Sequence, residues 1–199
     1  MAVTAKMVSE LRTRTGAGIM DCKKALIESN GDLEAAIQHL REKGLKASEL
    51  KGGRAASEGQ IVSYIHPGNR IGSLVEVNCE TDFVARTEQF QILTKEIAMQ
   101  VAAAKPRYLV KEDVPEEVLK SEREILRKQT LDEGKPNHIV DKIVEGRLSK
   151  FYSEACLLEQ SYIREADKTV KQLIQEAIVQ LGENIVVRRF SFYVLGQSE

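Results

Sequence analysis

The chain has 199 residues, 42% apolar and 30% charged, and its 29 basic residues nearly balance 30 acidic ones. That length supports one good core with room for a small satellite module, and the near-neutral balance supplies no strong field for nucleic acid. No run approaches the roughly 18 continuous apolar residues of a membrane span, and the N-terminal residues lack the apolar stretch of a secretory signal, so the expected address is the cytoplasm, with neither nucleic acid nor membrane as a direct partner.

The first 45 residues read as three short helices. The first takes in Met7, Val8 and Leu11 and stops at Gly16-Ala17-Gly18, where glycine adopts backbone angles that other residues resist. The second runs from about Ile19 to Ser29, with Cys22, Ala25 and Leu26 spaced along one helical face. Asn30-Gly31 ends it. Asp32 is placed to cap a third helix whose Leu33, Ala36, Ile37 and Leu40 form the next stripe, and Gly44 is expected to close it. Residues 46–58 lose the apolar period, gain Gly, Ala, Ser and charge, and read as a linker.

From residue 59 to 199 the pattern predicts an α+β core. Ile61, Ser63 and Ile65 alternate with Val62 and Tyr64, and after HPGNR the run IGSLVEVNC puts Ile71, Val75 and Val77 on one face. Pro67-Gly68 suits the middle of a type II turn, so the two runs form a hairpin. A single helix is expected over about 83–104, carrying Phe90, Leu93, Ile97 and Val101. Asp113, Pro115 and Glu116 are expected to cap a charged helix that runs to Gly134, and a second helix follows Pro136 with Val140, Ile143, Val144, Leu148 and Phe151 in a stripe. These two form a helical hairpin over about 115–153. A last helix over about 168–181, capped by Asp167 and Gly182, precedes NIVVRRFSFYVL, a strand that completes a small antiparallel three-stranded sheet with the hairpin.

Material for covalent chemistry is sparse. The chain has no phosphate-binding G-x-x-x-x-G-K-[ST] loop, no G-x-G-x-x-G after a strand, no H-E-x-x-H and no G-x-S-x-G. Cys22, Cys79 and Cys156 are far apart, without the paired spacings of zinc or redox sites, and are expected to be reduced and mostly buried. His39, His66 and His138 fall in three different contexts; a site assembled from His66, His138 and nearby acids is the only enzymatic reading, and no metal or cofactor is expected. His66, at the hairpin turn, is either an exposed turn residue or a partner contact. Of Ile19 and Met20, one should face outward, as an adaptable protein contact or as a loose edge of the core. Thr81-Asp82-Phe83-Val84 permits two readings. Either Thr81 or Asp82 caps a helix while Phe83 joins Phe90 in the core, or the turn thrusts an acid and an aromatic into a partner.

LRTRTGAGIMDCKKAL at 11–26 and IHPGNRIGSLVEVNCETDFVA at 65–85 closely resemble the signature stretches of the bacterial and organellar elongation factor Ts family, and the resemblance extends to GKPNHIVDKIVEGRLSKFY and GENIVVRRF. It implies guanine nucleotide exchange on elongation factor Tu, in its GDP-bound and nucleotide-free forms, without covalent chemistry. It further implies a ubiquitin-associated-like N-terminal module that docks through Arg12, Ile19 and Met20, with Ile19 standing where some relatives have Met. Thr81, Asp82, Phe83 and Val84 become the intruding tip that dislodges magnesium in the partner. The chain carries one copy of the core half where long-form members carry more, which implies a homodimer. The rival is an adaptor that binds polypeptides or ubiquitin-like proteins through the helical module, with the core serving to dimerise.

Overall fold

The computed structural model describes residues 3–197. Among these the elements run α1 (Ala5–Thr15), α2 (Ile19–Glu28), α3 (Leu33–Lys51), β1 (Glu58–Ile65), β2 (Ile71–Cys79), α4 (Asp82–Ala85), α5 (Glu88–Ala104), α6 (Glu116–Asp132), α7 (Asn137–Ala155), β3 (Ser161–Tyr162), β4 (Glu165–Thr169), α8 (Val170–Leu181) and β5 (Ile185–Val194). Strands β1, β2 and β5 form an antiparallel three-stranded sheet in that order, packed with helices, and β3 and β4 form a separate two-stranded ribbon. The fold is α+β. The chain divides into two compact units. One comprises residues up to Gln60 with Asn78–Leu93 and Ile174–Val186, and the other comprises Ile61–Val77, Thr94–Leu173 and the residues from Val187 onward.

The first unit begins with the three-helix bundle, whose core is Leu11, Cys22, Ala25, Leu26 and Ala36, flanked by Met7, Val8, Leu33, Ile37 and Leu40. Burying each large aliphatic side chain there contributes about 1.5–3 kcal/mol. Caps mark the helix ends: the Thr4 hydroxyl accepts from the Met7 amide, Gly16 closes α1 in the left-handed region, and Asp32 accepts from the amides of Glu34 and Ala35. Ion pairs Arg14–Glu34 and Lys43–Asp21 and a 2.8 Å contact of the His39 ring with the Glu28 carboxylate link the helices across exposed surface, a position where each adds little.

Helix α3 does not close at Gly44. It continues to Lys51, through residues 46–51 that the sequence assigns to a linker. Gly44 serves close packing instead, because a Cβ there would lie 3.3 Å from a Val179 methyl on α8, and the following LKASELK is rich in good helix formers. The single helix expected over about 83–104 is two helices. Thr87 interrupts it by donating its hydroxyl to the Val84 carbonyl while accepting from the Phe90 amide, so that α5 gains its own cap.

In the second unit the hairpin turn is as expected: the Asn69 amide donates to the His66 carbonyl at 2.9 Å, and Gly68 has φ +94°, the angle a type II turn requires after Pro67. Helices α6 and α7 form the helical hairpin, with Val140, Val144 and Leu148 buried and Arg123–Glu145 and Arg127–Asp141 pairing across it. Asp113 does not cap α6. Its carboxylate takes the Val110 amide within a short 3-10 turn, and Pro115 starts the helix. Asp167 does not cap the last helix either, since it lies within β4 of a ribbon that its charged sequence conceals. The cap is Thr169, which exchanges backbone and side-chain bonds with Gln172 in a capping box. Buried Gln100 and Gln160 bond to each other and to the carbonyls of Ser161 and Glu154, satisfying backbone groups where the ribbon begins.

Candidate partner-binding site

Strand β2 ends at Cys79, and the chain turns through Glu80 and Thr81 into α4, a helix of four residues. A helix that short has no stability of its own, so its position must come from what surrounds it. Thr81 is extended and its hydroxyl accepts from the Val84 amide at 3.4 Å. Ala85 is buried and its carbonyl accepts from the Gln60 side chain at 2.8 Å, while Val84 is half-buried. Phe83 points away from these anchors and is 78% exposed, whereas Phe90 is fully buried. Of the two placements the sequence permits for the Phe83 ring, the structure has the outward one. The core reading fails because the break at Thr87 rotates α4 out of the helical phase of α5.

Asp82, beside the ring, is paired with Arg86 one turn on at 2.7 Å. Such an exposed pair is worth about 0.3–0.5 kcal/mol, little enough for an incoming group to displace. Beneath the turn, Cys79 is buried and donates to the Thr81 carbonyl at 3.1 Å. Burial, reinforced by the nearby Glu183 carboxylate, pushes its thiol up to about 11. It therefore remains a neutral packing group at neutral pH.

A different surface is built on α1 and α2. Cys22, Ala25 and Leu26 are buried, which turns the opposite face of α2 to solvent, where Met20 is 74% and Ile19 53% exposed. Both face outward, rather than one of the two. Ile27 is 56% exposed as well and lies two helical turns from Met20 on the same side of α2, with exposed Lys23 and Lys24 between them. Its spacing of seven from Met20 was a legible sign in the sequence. Arg12 is exposed in the last turn of α1, just before the Gly16 cap. Thus Arg12, Ile19 and Met20 share the helical module, Thr81 to Val84 lie at the turn into α4, and both groups belong to the first unit.

His66 is exposed at the hairpin turn of the second unit, its Nδ1 3.1 Å from the Tyr64 hydroxyl, and His138 lies in the first turn of α7. Sequence reading also passed over Glu183. Its carboxylate accepts from the amides of Glu80 and Thr81 and from the Thr81 hydroxyl, across 102 to 103 residues of chain. No local pattern announces such a contact.

A family model described as Elongation factor TS matches residues 2–197. An elongation factor Ts of Caldanaerobacter subterraneus subsp. tengcongensis is 64% identical over 98% of this chain and 98% of its own length. One of a Thermoanaerobacter species is 62% identical over 98% of this chain and 96% of its own, and one of Geobacter sulfurreducens is 56% identical over 99% and 91%. Each is similar along nearly all of both chains. On this agreement the chain belongs to the elongation factor Ts family, a family of translation elongation factors.

Proposed function

We propose that this protein binds elongation factor Tu carrying GDP and promotes release of the nucleotide, so that GTP can rebind. The observation that carries this is Phe83, an exposed aromatic on a turn whose backbone is fixed from below. Rigid exposed aromatics lose little freedom on binding and are frequent anchors of interfaces. In the family's implied arrangement the Arg12, Ile19 and Met20 surface docks the helical module, of ubiquitin-associated-like type over residues 1–45, on the partner's nucleotide-binding domain. The Thr81–Val84 tip then reaches the phosphate site, and His66 is a further contact.

The mechanism needs no covalent step, and the protein acts as an exchange factor rather than as an enzyme of bond chemistry. A GTPase holds diphosphate through a magnesium ion and the amides of its phosphate loop. Phe83 wedges beside that site and Asp82 competes for the polar groups that order the ion's shell, leaving phosphate charge uncompensated. Each ~1.4 kcal/mol removed from the release barrier is tenfold in rate. Linkage requires the reverse effect too: nucleotide rebinding expels the factor. Such a cycle belongs in the cytoplasm.

The protein also works as a homodimer in this reading. Ile61 and Ile65 of β1, Leu74 of β2, and Tyr193 and Leu195 at the end of β5 are large apolar side chains left exposed in the second unit, around a central Glu76–Arg189 pair at 2.7 Å. An apolar face of that extent on a sheet calls for a cover, and a second copy supplies the core half that the short form lacks.

Stopped-flow release of a fluorescent GDP analogue from elongation factor Tu tests the main claim. Acceleration by the wild type, lost on Phe83→Ala in a folded protein, is the expected result; no acceleration by the wild type sinks the proposal. A solution mass near twice 22.3 kDa, halved by Leu74→Glu with Tyr193→Glu, checks the dimer.

A further inference from the structure

We propose that Glu183 is a positioning residue for the tip and that Asn184, next to it, carries the tip's register to the end of α3; the exchange consequence rests on the tip reading above. Glu183 uses both carboxylate oxygens. One accepts from the amides of Glu80 at 3.1 Å and Thr81 at 3.0 Å, and the other accepts from the Thr81 hydroxyl at 2.6 Å. With its hydrogen committed to Glu183, the Thr81 oxygen presents lone pairs to the Val84 amide, so the cap that starts α4 is oriented by the carboxylate.

The bonding is reciprocal. The Glu80 carboxylate accepts from the Asn184 amide at 2.7 Å and faces the Arg54 guanidinium at 3.5 Å. Asn184 is buried, and its side-chain amide donates to the carbonyls of Arg54 at 2.8 Å and Gly52 at 3.4 Å, just past the last turn of α3. Three segments distant in sequence therefore meet at two adjacent residues. Helix α3 shares a core with α2, which bears Ile19 and Met20, so the Glu183-Asn184 node links the tip to the helical module within one compact unit. Phe83 follows Thr81 by two residues, and its ring stands where that node puts it.

Glutamine does this work only in part. Its carbonyl oxygen can accept from the two backbone amides, but its NH2 would donate to the Thr81 oxygen, whose hydrogen is then no longer committed at this point. Glu183→Ala removes every acceptor while leaving Phe83, Asp82 and the α2 surface chemically intact.

The test uses the full chain and measures GDP release from elongation factor Tu against factor concentration, for Glu183→Ala, Glu183→Gln, Phe83→Ala and the double variant Glu183→Ala/Phe83→Ala. A misplaced reacting element costs rate rather than affinity, so the maximal release rate should fall about tenfold in Glu183→Ala with the half-saturating concentration nearly unchanged. Glu183→Gln should fall between Glu183→Ala and wild type, and it carries the comparison if Glu183→Ala proves unfolded by its melting curve. Because Glu183 acts through the ring, the double variant should be no slower than Phe83→Ala alone. Independently, a fluorinated phenylalanine placed at position 83 should show a narrower, more mobile fluorine resonance when Glu183 is replaced. A fluorine signal identical to wild type in a folded variant, or losses that simply add, overturns the proposal. If Phe83→Ala itself leaves release unchanged, the tip reading falls, and the fluorine signal still decides whether Glu183 positions the ring.

Discussion

The tip and the α2 surface both expose apolar side chains, yet they are built in opposite ways. Met20 and Ile27 ride on a regular helix whose other face, Cys22, Ala25 and Leu26, is packed into a core of near neighbours in sequence. Phe83 rides on four helical residues held at one end by the Gln60 side chain donating to Ala85 and at the other by the Thr81 cap, which donates to Glu183. A helix displays side chains wherever its buried stripe leaves them, which suits a broad adaptable contact. A pinned turn displays one ring at one place, which suits a wedge. The contrast teaches that exposure alone does not define a site; what fixes the exposed group tells what the group can do.

Substitutions should separate the two constructions, and the largest effect is expected at the tip. Phe83→Ala should lower the maximal rate of GDP release by about thirtyfold or more, the consequence of losing an anchor worth ~2 kcal/mol, with little change in the half-saturating concentration. Replacing Met20 and Ile27 together by alanine should do the reverse, raising the half-saturating concentration about tenfold while the rate at saturation survives. If both pairs of numbers moved together, the division between wedge and dock would break down.

A third expectation concerns the thiol beneath the tip. Cys79 is raised from 9.0 to about 11 chiefly by burial, so in the unfolded chain it ionises at lower pH than in the folded one. Its contribution to stability is complete below about pH 9 and is lost as pH rises toward 11, and Cys156, raised to about 11 by burial in the second unit, adds in the same sense. Melting curves should therefore shift down by a few degrees across that window, and Cys79→Ala should flatten the shift. The smallest effect belongs to Arg86→Ala. Its pair with Asp82 is solvent-exposed, so release should stay within about twofold of wild type.

Much of this architecture is written in short-range patterns. The apolar stripes of the first three helices, the Pro67-Gly68 turn, the left-handed stops at Gly16 and Gly182 and the β-branched run at the C-terminal end are consequences of residues a few positions apart. Two of the misassignments arose where a local sign had a cause elsewhere in the fold. Gly44 looks like a helix terminator until Val179 is seen against it, and Asp167 looks like a cap until the ribbon takes it up and leaves Thr169 and Gln172 to do the capping.

By itself, then, the sequence determined where most of the helices and the three strands of the main sheet fall, most of the faces that turn inward and, through its resemblance, which family the chain belongs to, because those properties depend on periodicity and on side chains read in order. Tertiary structure decided that the Phe83 ring points outward and that both Ile19 and Met20 stay exposed. It also decided that the Glu183 carboxylate, 102 residues from Thr81 in sequence, bonds to the turn that leads into α4. Hydrogen bonds and packing act through space over a few ångströms, whatever length of chain separates the partners.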